Sequence, residues 1–175
     1  ALPISTRMKI QKCVILFVLF MTFVGCEWLK APTNEEKEIA VQKANTSFLE
    51  NLVEPESAIL YSLEPKETTG ENLFHGFKIL GQIKLTPDQA ADAALEFKEA
   101  VEAWKEEMGG AACFNPRLGI RVFKKGKASD FLLCYECLGM QAYDEKGKVY
   151  TYSAAGSAEK LNQYFIETKV PISTK

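Results

Sequence analysis

The chain has 175 residues, 47% hydrophobic and 25% charged, which is ordinary for a folded soluble domain and excludes a disordered tail, collagen or a helical membrane bundle. Its 21 basic and 23 acidic residues give a net charge of −2, without the cationic excess that wrapping a nucleic-acid backbone requires, so no nucleic-acid partner is expected. A single histidine, His75, excludes sites built on paired imidazoles, including helix-borne zinc-protease motifs.

Met8-Lys9-Ile10-Gln11-Lys12 forms a short basic opening, and Cys13 to Val24 follows without a charge. Crossing a bilayer core takes roughly 20 apolar residues, so this shorter stretch predicts an export signal. It ends in Phe23-Val24-Gly25-Cys26, which resembles a bacterial lipobox. The resemblance implies a diacylglycerol on the sulfur of Cys26 and cleavage just before it. Phe23 and Val24 depart from the usual leucine and small residue at those places, which keeps two alternatives open: a signal cut elsewhere, or an uncleaved anchor. Ala1 to Arg7 precede a natural start at Met8 and are expected to lie outside the fold. Removal of residues 1–25 takes away Arg7, Lys9 and Lys12 and no acid, so the charge falls from −2 to −5. Acyl chains contribute about 0.8 kcal/mol per buried methylene, enough for two or three chains to hold a protein on a membrane without apolar protein surface.

Residues 26–34 read as a tether, and 35–175 as a single α+β domain. Acids at Glu35, Glu36 and Glu38 followed by Ile39, Ala40, Ala44, Phe48 and Leu52 predict a helix over 35–52. Strands are expected over Ala58–Leu63 and over Phe74–Leu85, the second interrupted at Gly81. Thr86-Pro87-Asp88-Gln89 combines a capping threonine, a proline at the first helical position and a glutamine three residues after the cap. The helix it starts carries Ala90, Ala94, Phe97, Val101, Trp104 and Met108 on one stripe and should stop at Gly109-Gly110. Beyond Cys113 the pattern is an antiparallel meander, with strands Leu118–Phe123, Ser129–Tyr143 and Val149–Ser153 and glycine turns at 124–127 and 144–147. The middle strand is apolar on both faces, Phe131, Leu133 and Tyr135 on one and Leu132, Cys134, Leu138 and Met140 on the other, so it should lie centrally and be covered twice. Ser157 is a candidate cap for a last helix with Leu161, Tyr164 and Phe165. The expected architecture is a meander packed against two or three helices.

With Cys13 in the leader and Cys26 on lipid, Cys113, Cys134 and Cys137 remain for an oxidising setting. In an extended strand, Cys134 and Cys137 stand about 10 Å apart and cannot bond to each other. A hairpin turn centred near Lys125 places Cys113 and Cys137 twelve residues to either side, hence opposite each other. A structural disulfide from Cys113 to Cys137 is therefore expected, with Cys134 a buried free thiol. A bulge near Pro116 makes Cys134 the competing partner. Such a bond contributes roughly 3 kcal/mol in the chain-entropy model. The sharper competitor is a zinc site from the three thiols and His75, since three cysteines and a histidine make a valid tetrahedral set. Arg117 and Arg121 share a strand face but lie about 13 Å apart, too far for one phosphate.

The segment Cys113-Phe114-Asn115-Pro116-Arg117-Leu118 and the strand Cys134-Tyr135-Glu136-Cys137 resemble those of a group of uncharacterised bacterial proteins with a Cys-aromatic-x-Pro-Arg-His segment and a Cys-aromatic-Glu-Cys strand. Leu118 stands where that group has histidine. The resemblance implies no activity. No nucleophile elbow, phosphate loop or calcium loop is present, and a histidine triad would have to use His75. The expectation is a lipid-anchored envelope protein without a resident cofactor. Its membrane contact is through the N-terminal lipid, and its domain is a non-enzymatic binding or structural module with an envelope protein as partner. The alternative is a metal-binding or thiol-redox protein using Cys113, Cys134 and Cys137. An inhibitor or adhesin at the cell surface is a third reading.

Overall fold

Local sequence rules account for most elements. The computed structural model describes residues 33–109 and 112–173; the leader, Cys26 and the tether up to Pro32 lie outside them. The chain divides into two units, residues 1–42 and 43–175. Helix α1 (Asn34–Leu49) opens on a capping box, with Glu36 N–H donating to Thr33 Oγ1 at 3.2 Å and Thr33 N–H to the Glu36 carboxylate at 2.7 Å. A 3₁₀ turn over Glu50–Leu52 follows and buries Leu52.

The second unit is α+β, built on a seven-stranded antiparallel sheet in the order β2-β3-β1-β4-β5-β6-β7. The strands are β1 (Ser57–Glu67), β2 (Leu73–Phe74), β3 (Phe77–Lys84), β4 (Leu118–Lys124), β5 (Lys127–Cys134), β6 (Gly139–Tyr143) and β7 (Val149–Ser153). Both β3 and β4 flank β1 antiparallel, so they run parallel to each other and need a crossover, which includes helix α2 (Pro87–Ala103). The Thr86 side chain and Gln89 form the expected reciprocal cap of α2. Helix α3 (Glu159–Thr168) closes the described chain and ends on Lys169 in the left-handed region.

Helix α2 buries Ala90, Ala93, Ala94, Phe97 and Ala100, four small residues and one large. The alanines allow the helix axis to approach the sheet, and Phe97 is fully buried in the larger core cluster that also holds Leu60, Ile120, Phe131, Leu133 and Leu161. A smaller cluster of Tyr61, Leu63, Phe74, Phe77 and Leu132 lies on the other face. Strand alternation explains the division: Leu60 against Tyr61 on β1, and Phe131 and Leu133 against Leu132 on β5.

Several expectations are corrected. The strand expected over Ser129–Tyr143 is two strands, because the chain turns through Tyr135–Leu138 with Leu138 at φ 51°. Met140 then pairs with Leu133 and joins its face instead of the opposite one. The strand expected over Phe74–Leu85 is broken by a two-residue turn at His75-Gly76, both at positive φ. Helix α2 ends at Ala103, since Trp104 is extended (ψ 140°), and Met108 is exposed in a separate 3₁₀ turn. Ala158, not Ser157, stands at the start of α3, without a side-chain cap. Strand β1 also outlasts its expected end at Leu63 and carries Pro65, which two register shifts against β3 accommodate.

Two substitutions test this core in opposite directions. Phe97→Ala empties a fully buried ring site and is expected to cost about 3–5 kcal/mol. Ser62 is 1% exposed and its hydroxyl has no hydrogen-bond partner among the described residues, so Ser62→Ala is expected to gain about 1 kcal/mol. Denaturant midpoints of the two variants against wild type check both signs.

Candidate functional site

Two groups of chemistry-bearing side chains assemble on the smaller-cluster side of the sheet, and neither is local in sequence. The first is the sulfur group. Strand β5 ends at Cys134, and the turn through Tyr135–Leu138 brings the Cα atoms of Cys134 and Cys137 to 5.2 Å, within the range a disulfide tolerates. The two cysteines are bonded to each other. This replaces the expected Cys113–Cys137 bond and leaves Cys113, not Cys134, as the free thiol. The physical reason is the turn: an extended strand would hold the two sulfurs apart, and Leu138 in the left-handed region folds the strand back instead. The hairpin count was nonetheless close, since Cys113 Sγ lies 3.4 Å from Cys137 Sγ. Backbone donors reach both bonded sulfurs, Asn115 N–H to Cys137 Sγ at 3.2 Å and Cys137 N–H to Cys134 Sγ at 3.1 Å.

The second group centres on Asp130 of β5, 6% exposed and opposite Arg121 on β4 and Tyr143 on β6. Arg121 donates to both carboxylate oxygens at 2.7 Å, a bidentate pair. His75, at the tip of the β2–β3 hairpin, places Nε2 2.7 Å from Asp130 Oδ2. Its ring stacks on Tyr143 with centroids 3.8 Å apart and meets Phe74 edge-on at 4.8 Å. Phe74 stacks in turn on Tyr61 at 4.3 Å and lies under the Arg121 guanidinium. The close approach of Phe74 to the sheet requires glycine below it: a Cβ on Gly119 would lie 2.7 Å from the ring.

Burial by itself would raise the Asp130 carboxyl, but the hydrogen bonds from Arg121 and His75 outweigh it and hold the group below its ordinary value of 3.8. The hydrogen bond to Asp130 raises Arg121, while burial raises the phenols of Tyr61 and Tyr143. A histidine oriented by a carboxylate is half of an acid–base device. Here the same carboxylate also carries a bidentate arginine, and the group ties the β2–β3 hairpin across β1 and β4 to β5 and β6. Arg117, just before β4, donates to Ser173 Oγ at 2.9 Å and faces Glu136 at 3.5 Å.

The zinc alternative finds no donor set. Two of its thiols are joined, His75 is engaged by Asp130, and no group of three or more His, Cys, Asp or Glu among the described residues is placed to hold a metal. Nor is any helix among the described residues long and apolar enough to cross a membrane. An open cavity of about 510 Å³ lies elsewhere, beside Phe48, Ser129, Lys127, Lys146, Asp144 and Tyr150, with Phe48 and Tyr150 stacked at 4.4 Å. The sequence reading missed the His75–Asp130–Arg121 group. The Arg121–Asp130 half lies one residue off the count that set Cys113 opposite Cys137: a turn centred on Lys125 pairs Arg121 with Ser129, whereas the observed turn, centred between Lys125 and Gly126, pairs it with Asp130. No family model, curated protein or solved structure matches the chain.

The lowered carboxyl sets a pH dependence. Its contribution to stability is complete above 3.8 and is lost as pH falls through the lower value it has in the fold. Asp130→Asn is therefore expected to destabilise by roughly 2 kcal/mol at neutral pH, less than a fully buried pair because Arg121 is partly exposed. The variant should also lose less stability than wild type between pH 4 and pH 2. Denaturant midpoints over that range decide it, and parallel curves would count against the assignment.

Proposed function

We propose that this chain is an exported bacterial envelope protein, held on a membrane by lipid on Cys26, whose α+β domain is a non-enzymatic binding or structural module. The observation that carries the reading is the leader: a basic opening at Lys9 and Lys12, an uncharged run to Val24, and Cys26 at its end. The Cys134–Cys137 disulfide supports it, because such bonds persist in oxidising compartments outside the cytosol. The cavity beside Phe48 and Tyr150 supports the binding half, since it sets a stacked aromatic pair among polar and charged side chains in one concave site. An envelope protein is the partner class that fits an anchored domain of this kind.

A second reading, thiol-redox work by Cys113, Cys134 and Cys137, is favoured by one observation, the 3.4 Å approach of Cys113 to the bonded pair.

Expression of the full chain in a bacterium and mass spectrometry of the membrane fraction test the anchor. The expected mature N-terminus is Cys26 bearing acyl chains, and Cys26→Ser is expected to move the protein out of the membrane fraction. An unacylated Cys26 behind an intact leader overturns the proposal.

A further inference from the structure

We propose that Cys113 and the Cys134–Cys137 disulfide form a thiol–disulfide relay, in which the exposed thiol draws the oxidation of the buried bond to the surface and passes it to a thiol substrate. The inference rests on the second reading above, takes the place of the non-enzymatic part of the first, and does not depend on lipid at Cys26.

Accessibility is the first ground. Cys134 is 2% and Cys137 4% exposed, so a thiol from solvent has no open approach to either bonded sulfur, whereas Cys113 is exposed. Distance is the second. Cys113 Sγ is 3.4 Å from Cys137 Sγ, and a shift of about 1.4 Å brings it to bonding distance. Cys113 precedes β4 and belongs to no strand or helix, so no ladder hydrogen bond opposes that shift. The third ground is the backbone: the donors on Cys134 Sγ and Cys137 Sγ stabilise negative charge on whichever sulfur leaves.

In the first step the Cys113 thiolate attacks Cys137 Sγ. The 113–137 bond forms, the 134–137 bond breaks, and its electron pair goes to Cys134 Sγ, which takes up the proton that Cys113 released. Nothing is oxidised or reduced overall. In the second step a substrate thiolate attacks Cys113 Sγ, now in an exposed disulfide, and Cys137 leaves as a thiolate and is protonated. A second substrate thiol attacks the mixed disulfide at its substrate sulfur and releases Cys113 as a thiol. The substrate pair loses two electrons and becomes a disulfide, and the protein gains them as the thiols of Cys134 and Cys137. The substrate class is a cysteine thiol, on a small molecule or on a peptide.

The test uses the full chain, with each cysteine assigned separately by mass spectrometry after acid quenching and alkylation. Wild type is expected to contain both 134–137 and 113–137 linkages. Reduction of its disulfide by glutathione or by a peptide with two cysteines is expected to be at least about tenfold faster than in Cys113→Ser. The arm that is faster identifies the source of the substrate thiol. In Cys134→Ser a 113–137 bond is expected to form, which keeps the test decisive if Cys113→Ser folds poorly. Equal reduction rates in wild type and Cys113→Ser overturn the relay, and so does a Cys134→Ser protein that keeps Cys113 and Cys137 as free thiols under air oxidation.

Discussion

A sheet whose central strands are apolar on both faces needs two covers, and the helices packed in its core lie on one of them. Leu60, Ile120, Phe131 and Leu133 face α2 and α3, while Tyr61, Leu63 and Leu132 point the other way. The second cover comes from the sheet's own edge. The β2–β3 hairpin brings Phe74 and Phe77 onto that face, and Gly119 leaves the space that Phe74 occupies. What keeps the hairpin there is the Asp130 carboxylate, which accepts hydrogen bonds from Arg121 of β4 and is met by His75 from the hairpin tip. A buried ion pair of this type adds little net stability against an apolar substitute, but it is costly to break one-sidedly and therefore fixes one arrangement among several.

The sulfur group depends on the same cover. Phe114, next to Cys113, packs against the smaller cluster and meets Phe77 edge-on at 6.3 Å. The segment that carries Cys113 is thereby held against the start of β4, and its sulfur is delivered to the turn that joins β5 to β6. Asn115 N–H secures the other side by donating to Cys137 Sγ. The position of the free thiol is thus a packing consequence of Phe114, and its relation to the disulfide follows from where β5 stops.

The elements that were legible in the sequence are those with local causes. The Thr86–Gln89 cap, the glycine turns at Gly126 and Gly147, and the double-sided apolar pattern of β5 each carry their physical reason within a few residues. The turn at Tyr135–Leu138 carries no such sign, because a leucine occupies the left-handed position that glycine or asparagine normally marks. That one silent position moved Met140 to the other face and changed the partner of Cys137. His75 was equally silent: its bond to Asp130 spans 55 residues and exists only once the hairpin has folded over the sheet. Thr33 and Glu36 spelled out a capping box that the acidic run beside them obscured.

The two covers are unequal in depth. Among the described residues the helix-side cluster contains twenty buried side chains and the hairpin-side cluster five. Regions with few buried apolar contacts open at lower free energy than the global transition, so excursions of the hairpin and of the segment before β4 should precede any loss of the helix side. The Asp130 group limits those excursions at the His75 tip, while Cys113, at the far end of Phe114 and outside any ladder, keeps the freedom that thiol exchange needs. A shallow cover with one polar latch therefore reconciles two demands on the same face: it shields the bonded sulfurs from solvent, and it leaves the attacking sulfur able to move.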